Sequence, residues 1–272
     1  DPDFHHQISS QFGFESDFNL FQLQGTSFVG VWQNVDRPSL VSWSAAAFKD
    51  QNSASQDPLF IGPSGGDGIF GFVDLANDGR DDDFHLQSSE GRFTGGLVPV
   101  FDANTGQAVF LPSTELTDTV QSPAIDRGRP GDPFANETAP NGGFVNVGAY
   151  GNTSQASKSP NAYILLTSPD GGEALPEGQD FTVSWRTGNL GTGTVDLELL
   201  RDGDAGFSQI IATATPNDGS FAWSLDASFT EASDYRIKVT RSDDPLINDV
   251  SNSTFQIRPD TSAYFVNIEN DG

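Results

Sequence analysis

Hydrophobic and polar positions follow different rules in the two parts of this chain. Between residues 162 and 258 apolar positions alternate with polar ones, as in Phe181/Val183/Trp185, Val195/Leu197/Leu199, Phe221/Trp223/Leu225 and Tyr235/Ile237/Val239. A period of two marks a strand with one face buried. The pattern predicts seven strands: Tyr163–Thr167, Phe181–Arg186, Thr194–Leu200, Ile210–Ala214, Ser220–Leu225, Tyr235–Thr240 and Ser253–Ile257. Turn signals separate them, at Asp170-Gly171-Gly172, Asp202-Gly203, Asn217-Asp218-Gly219 and Asp243-Asp244-Pro245. Short alternating strands at this spacing, over roughly a hundred residues, predict an Ig-like β-sandwich. Trp185 and Trp223 are expected as core anchors.

Residues 1–158 lack that alternation. Short apolar pieces occur at Ser16–Gln24, Phe28–Trp32, Leu59–Ile61, Ile69–Val73, Phe84–Gln87, Leu97–Phe101 and Ala108–Leu111. Short runs between tight turns suit the stacked rungs of a parallel β-solenoid. Asn19, between Phe18 and Leu20, fits a corner, since Asn tolerates left-handed backbone. One window reads as helix, Leu40–Lys49, with Ser39 as N-cap and Leu40, Trp43, Ala47 and Phe48 apolar. The stretch 122–158 is dense in Gly, Pro, Asn and Asp, and its thin apolar content must lie on a surface supplied upstream. It reads as a terminator between two architectures.

Charge narrows the partners. Thirteen Lys and Arg against 38 Asp and Glu leave a net charge of −25. Nucleic-acid binding needs cations to displace counterions, and anionic membranes attract the same groups, so both are disfavoured. An acidic surface suits high ionic strength and divalent cations. Cysteine and methionine are absent, which removes disulfides and thiolate sites and suggests a processed or excised chain. No apolar run is long enough to span a bilayer. Sequons stand at Asn136, Asn152 and Asn252.

The densest group of candidate ligands lies in residues 66–86, where Asp67, Asp74, Asn77, Asp78, Asp81, Asp82 and Asp83 accompany glycines 68, 71 and 79. Oxygen ligands on a glycine-bent loop suit calcium. With Asp74 first, the third EF-hand position is Ala76 and the twelfth His85, so this is no EF-hand. The loops at Asp102-Ala103-Asn104 and Asp202-Gly203-Asp204 read as ordinary turns. His5 and His6 adjoin the start, and His85, between Phe84 and Leu86, is expected at the surface. No Ser-His-Asp arrangement, HExxH or P-loop is recognisable. A lyase would need a base, and of three lysines only Lys49 lies ahead of the terminator; Lys158 is in it and Lys238 is in the sandwich.

Two resemblances add to this. The phrases SDFNLF (16–21), LVSWSAAAFKDQNSASQDPLF (40–60), DDFHLQSSEGR (82–92) and the terminator are similar to the C-terminal part of bacterial secreted right-handed parallel β-helix proteins. The phrases LTSPDGGEALPEGQDFTVSW (166–185), VDLELLRDGDAGF (195–207), IATATPNDGSFAWSL (211–225) and DYRIKVTRSDDP (234–245) resemble the Kre9/KNH-type Ig-like domain of cell-surface proteins. Together they imply an all-β chain: C-terminal rungs and cap of a right-handed parallel β-helix over 1–160, a sandwich over 161–259, and a linker or further β-helix start over 260–272. The implied function is a non-catalytic structural or adhesive segment of a bacterial extracellular or cell-surface protein. Its expected partners are polysaccharide or other copies of itself, as an oligomer or filament, with calcium stiffening the acidic loops. The alternatives are the accessory end of a carbohydrate-active lyase or hydrolase, and a glycan-recognition module using exposed Trp32, Trp43 or Tyr150.

Overall fold

The computed structural model describes residue 11 and residues 13–74, 78–94, 100–109, 115–226 and 229–259. His5, His6, Asn77 and the segment 260–272 lie outside these. The chain divides into two units, Asp1–Asn161 and Ala162–Gly272. It is all-β with little helix.

The first unit has short strands: β1 (Leu20–Phe21), β2 (Gly30–Trp32), β3 (Val35–Arg37), β4 (Ala54–Ser55), β5 (Phe60–Gly62), β6 (Asp83–Leu86), β7 (Val100–Asp102) and β8 (Gln107–Val109). Its helix, α1, runs Leu40–Ala47. Ser39 caps it through a reciprocal bond with Ser42, and Phe48 ends it in the left-handed conformation at φ 54°. Trp43 and Ala47 form its buried side. Gly30 is required beside it, because a Cβ there would lie 2.7 Å from the Trp43 ring.

Strand pairing here does not show the expected right-handed parallel β-helix. The pairs β2–β3, β5–β6 and β7–β8 are antiparallel. Among the described residues of this unit only β1 and β4 pair in parallel, Leu20 with Ala54 and Phe21 with Ser55. The pairs β2–β3 and β7–β8 are short strands on tight turns that fold back before a long ladder can form, whereas β5 and β6 are joined by the long loop 63–82. Ile69–Val73, one of the short apolar pieces, contains no strand. Residues 122–158 contain no strand or helix. Ala124 and Ile125 are buried, with Val147 of the same stretch, against Leu20, Phe60 and Leu86, the upstream surface such a stretch requires.

The second unit is a sandwich of β9 (Tyr163–Ser168), β10 (Ala174–Pro176), β11 (Asp180–Gly188), β12 (Thr194–Arg201), β13 (Ser208–Pro216), β14 (Ser220–Ser224), β15 (Ala232–Arg241), β16 (Asp244–Val250) and β17 (Phe255–Arg258). One sheet is ordered β14-β11-β9. The other is ordered β10-β17-β15-β12-β13, and β16 also pairs with β15. Strands β17 and β16 share one edge of β15, the first at its N-terminal and the second at its C-terminal half. Alternation dictates the core: Val195, Leu197, Leu199, Ile237 and Val239 are fully buried, facing Leu166, Val183, Trp185 and Trp223. Trp185 and Trp223 are 3 % and 4 % exposed, the anchors that alternation predicts. The Tyr235 hydroxyl donates to the Thr230 carbonyl at 2.6 Å, a tyrosine corner that pins the start of the central strand.

Candidate functional site

The acidic loop enters from β5, leaves into β6, and bends at Gly68 and Gly71, with φ of 75° and 74°. Its carboxylates hold the loop's own main chain. Asp81 Oδ2 accepts the N–H groups of Gly66 (2.7 Å) and Asp67 (3.2 Å). Asp67 Oδ1 accepts from Ile69 N–H (2.8 Å), and Asp82 Oδ2 accepts from Gly71 N–H (2.8 Å). Asp78 pairs with Arg80, whose hydrogen bond holds the Asp78 carboxyl below its ordinary range. Asp74 is exposed. Among the described residues no three His, Asp or Glu side chains gather where they could hold a metal ion. The loop tip is apolar, with Phe70, Phe72 and Val73 exposed.

Asp83 leads to a second feature. His85 is 1 % exposed, not at the surface as its flanking residues suggest. Its ring stacks on Tyr150 at 3.8 Å and on Phe93 at 5.1 Å. Nδ1 lies 2.7 Å from Asp83 Oδ1, and Nε2 lies 3.2 Å from Gln155 Oε1. Burial opposes ionisation of Asp83, but the His85 bonds and the nearby Arg92 charge outweigh it, so its carboxyl stays below the ordinary range. With both nitrogens engaged and both faces covered, this imidazole has no route to an external substrate. Its work is to pin β6 to the segment 150–155.

Two more buried carboxylates were not legible as special. Asp50, 2 % exposed, accepts at Oδ1 from Ser16 Oγ (3.0 Å), Asn19 Nδ2 (2.7 Å) and Ser53 Oγ (2.7 Å), and at Oδ2 from Trp43 Nε1 (2.7 Å). Glu137 Oε1 accepts the N–H groups of Asn146 (2.9 Å) and Asn152 (2.8 Å). Burial, then the charge of Asp126, pushes the Glu137 carboxyl above its ordinary range. Nothing in the sequence separates these two from 36 other acidic residues.

Trp43, 7 % exposed and bonded to Asp50, is core, which removes it as a glycan platform. Tyr150 gives a face to His85. Lys49 pairs with Glu15 at 2.9 Å, and Lys158 pairs with Glu115. Of the sequon asparagines only Asn136 is exposed, and Asn252 Nδ2 donates to Asp170 Oδ2 at 2.7 Å. A groove of about 550 Å³ is lined by residues 15–18, by Arg129 and Asp132, which pair at 2.9 Å, and by residues 145–147. No helix among the described residues is long and apolar enough to cross a membrane.

Neither curated proteins nor solved structures include one that matches this chain. A family model matches the sandwich: residues 168–257 match the Kre9/KNH-like N-terminal Ig-like domain, a module typical of secreted or cell-wall proteins.

Proposed function

We propose that this chain is a non-catalytic structural and adhesive segment of an extracellular or cell-wall-associated protein. The observation that carries the reading is the Kre9/KNH-like domain at residues 168–257. It speaks to location, not to a bacterial source. On this reading the sandwich is a spacer and residues 1–161 are a stacked coil that engages polysaccharide or a second copy.

Support for the coil comes from main-chain bonds between residues about one turn apart. Asp50 N–H donates to Ser16, Gln56 N–H to Phe21 and Ser122 N–H to Gln87, all across 34 or 35 residues. Loops and buried polar side chains, more than ladders, hold such a coil. The groove beside Arg129 and Asp132 supports the adhesive part, since its volume is that of a ligand cleft and its polar groups suit hydroxyls.

The test is co-sedimentation with insoluble cellulose, chitin and β-glucan, alongside sedimentation equilibrium of the chain alone. Retention on one polymer, weakened by Arg129→Ala, or reversible self-association is the expected result. Release of reducing ends or unsaturated sugars from any of these polymers by the purified chain overturns the non-catalytic reading. A monomer retained by none overturns the adhesive one.

A further inference from the structure

We propose that strand β14 is a docking edge for β14 of a second copy of this chain, forming a closed two-fold dimer through the sandwich. Strand β14 ends the sheet β14-β11-β9 and pairs with β11 on one side. Its register is regular, from Asp180 opposite Ser224 to Ser184 opposite Ser220. Just past the ends of that ladder, Trp185 N–H donates to the Gly219 carbonyl at 3.0 Å, and Leu225 N–H donates to the Gln179 carbonyl at 3.3 Å. Antiparallel pairs alternate between bonded and non-bonded, so residues 219, 221, 223 and 225 turn their main chain toward β11. Ser220, Ala222 and Ser224 therefore turn theirs outward, and all three residues are exposed. Each presents an N–H and a C=O to the edge. Ser220 N–H has a long contact, 3.4 Å, with Asp218 Oδ1.

The edge fits a copy of itself. An antiparallel partner centred on Ala222 sets that residue opposite its own counterpart, and sets Ser220 opposite Ser224 on both sides of it. Every outward N–H then meets an outward C=O. The side chains brought together are Ser, Ala and Ser, small and uncharged, so two chains of net charge −25 can approach here. Such a contact is isologous and closes at two copies. The other sheet edges are blunted, as exposed edges usually are. The register of β13 shifts twice, Ala214 is left-handed at φ 50°, and the strand ends in Pro216. Strand β10 is three residues ending in Pro176, between Glu173 and Glu177. On β9, Asp249 Oδ2 accepts the Leu166 N–H at 2.8 Å. Strand β14 contains no charge, no proline and no register shift. The same two-fold register sets Asp218 opposite Asp226 at each end, and both are exposed. Their repulsion keeps the dimer weak, and salt relieves it.

This contact is separate from the one proposed for residues 1–161, and the experiment tells them apart. Sedimentation equilibrium of the full chain is run at up to about 1 mM, the weak end of specific association. It is run in about 0.05 M and about 0.5 M NaCl, where screening differs several-fold. A reversible monomer–dimer equilibrium is expected, tighter at the higher salt. Ala222→Pro removes the outward N–H in both copies and should weaken the dimer about 10-fold or more. The β11 ladder does not use that N–H, so an edge proline leaves the fold intact. Where circular dichroism shows that variant misfolded, Ala222→Lys replaces it, setting like charges face to face on the exposed side with the same direction of effect. Asp218→Asn removes one member of each end pair and should tighten the dimer roughly 2- to 30-fold at the lower salt. A chain that stays monomeric at the highest concentration in both salts overturns the proposal. So does a dimer unmoved in a folded Ala222→Pro or Ala222→Lys chain, an outcome that assigns self-association to residues 1–161 instead.

Discussion

The side chains that distinguish this molecule are buried carboxylates, each organising several donors. Asp50 collects four, from Ser16, Asn19, Ser53 and Trp43, and so ties α1 to the segment 16–19. Removing it leaves all four donors without their shared acceptor. Asp50→Ala is expected to destabilise the first unit by about 3 kcal/mol or more, since hydrogen bonds to charged groups are the strong ones. The variant should show a lower urea midpoint and altered Trp43 emission. Glu137 gives a prediction of opposite sign with pH. Its folded pKa is raised by burial and by Asp126. The folded state therefore holds that proton more tightly than the unfolded chain. Its contribution is present below the ordinary value of 4.5 and is lost as pH rises through the raised one. Glu137→Gln keeps the acceptor for Asn146 and Asn152 without the charge. Its stability relative to wild type should rise between about pH 4 and pH 8 in denaturant titrations. A pH-independent difference would sink this assignment. Asp83, whose pKa is lowered, acts in the opposite sense and is lost as pH falls.

At the scale of elements, the strands that alternate were legible and the others were not. Phe181/Val183/Trp185 predicts β11 and Tyr235/Ile237/Val239 predicts β15, because one face of each meets a core that tolerates no polar side chain. Strand β16 escaped because its residues are mostly exposed and its start, Asp244-Pro245, reads as a turn. Strand β10 is three residues ending in Pro176. In the first unit the apolar pieces were visible but their pairing was not, since strands of two or three residues leave partner choice to turns and side chains such as Asp50. His85 misled for a related reason: its neighbours Phe84 and Leu86 suggest a face, but nearby Phe93 and, far along the chain, Tyr150 cover its ring. The sandwich core yields a direct check. Leu197 is fully buried at the centre of β12, between β13 and β15. Leu197→Ala is expected to cost about 2–5 kcal/mol, through lost transfer and a residual cavity. Tyr235→Phe, which deletes only the corner bond to Thr230, should cost about 1 kcal/mol. If the second matched the first, the corner and not the core would dominate the sandwich.

On the scale of the whole chain, charge decides behaviour. Acidic groups outnumber basic ones 38 to 13, and several of the cations already sit in ion pairs, among them Arg92–Asp118, Arg201–Asp234 and Arg129–Asp132. Carboxylates therefore far outnumber the cations that could neutralise them. Folding brings them closer together, so self-repulsion opposes the compact state. Salt weakens both attraction and repulsion, but the imbalance of numbers makes repulsion the larger quantity. The Debye length falls from about 30 Å at 0.01 M to about 3 Å at 1 M, so most of the relief comes within that range. Melting temperature is expected to climb with NaCl over these concentrations and then level, with KCl giving the same curve because screening is indifferent to the monovalent ion. A fall in melting temperature would mean that the few ion pairs outweigh the surplus of negative charge. A rise would accord with the secreted or cell-wall setting typical of the Kre9/KNH-like domain.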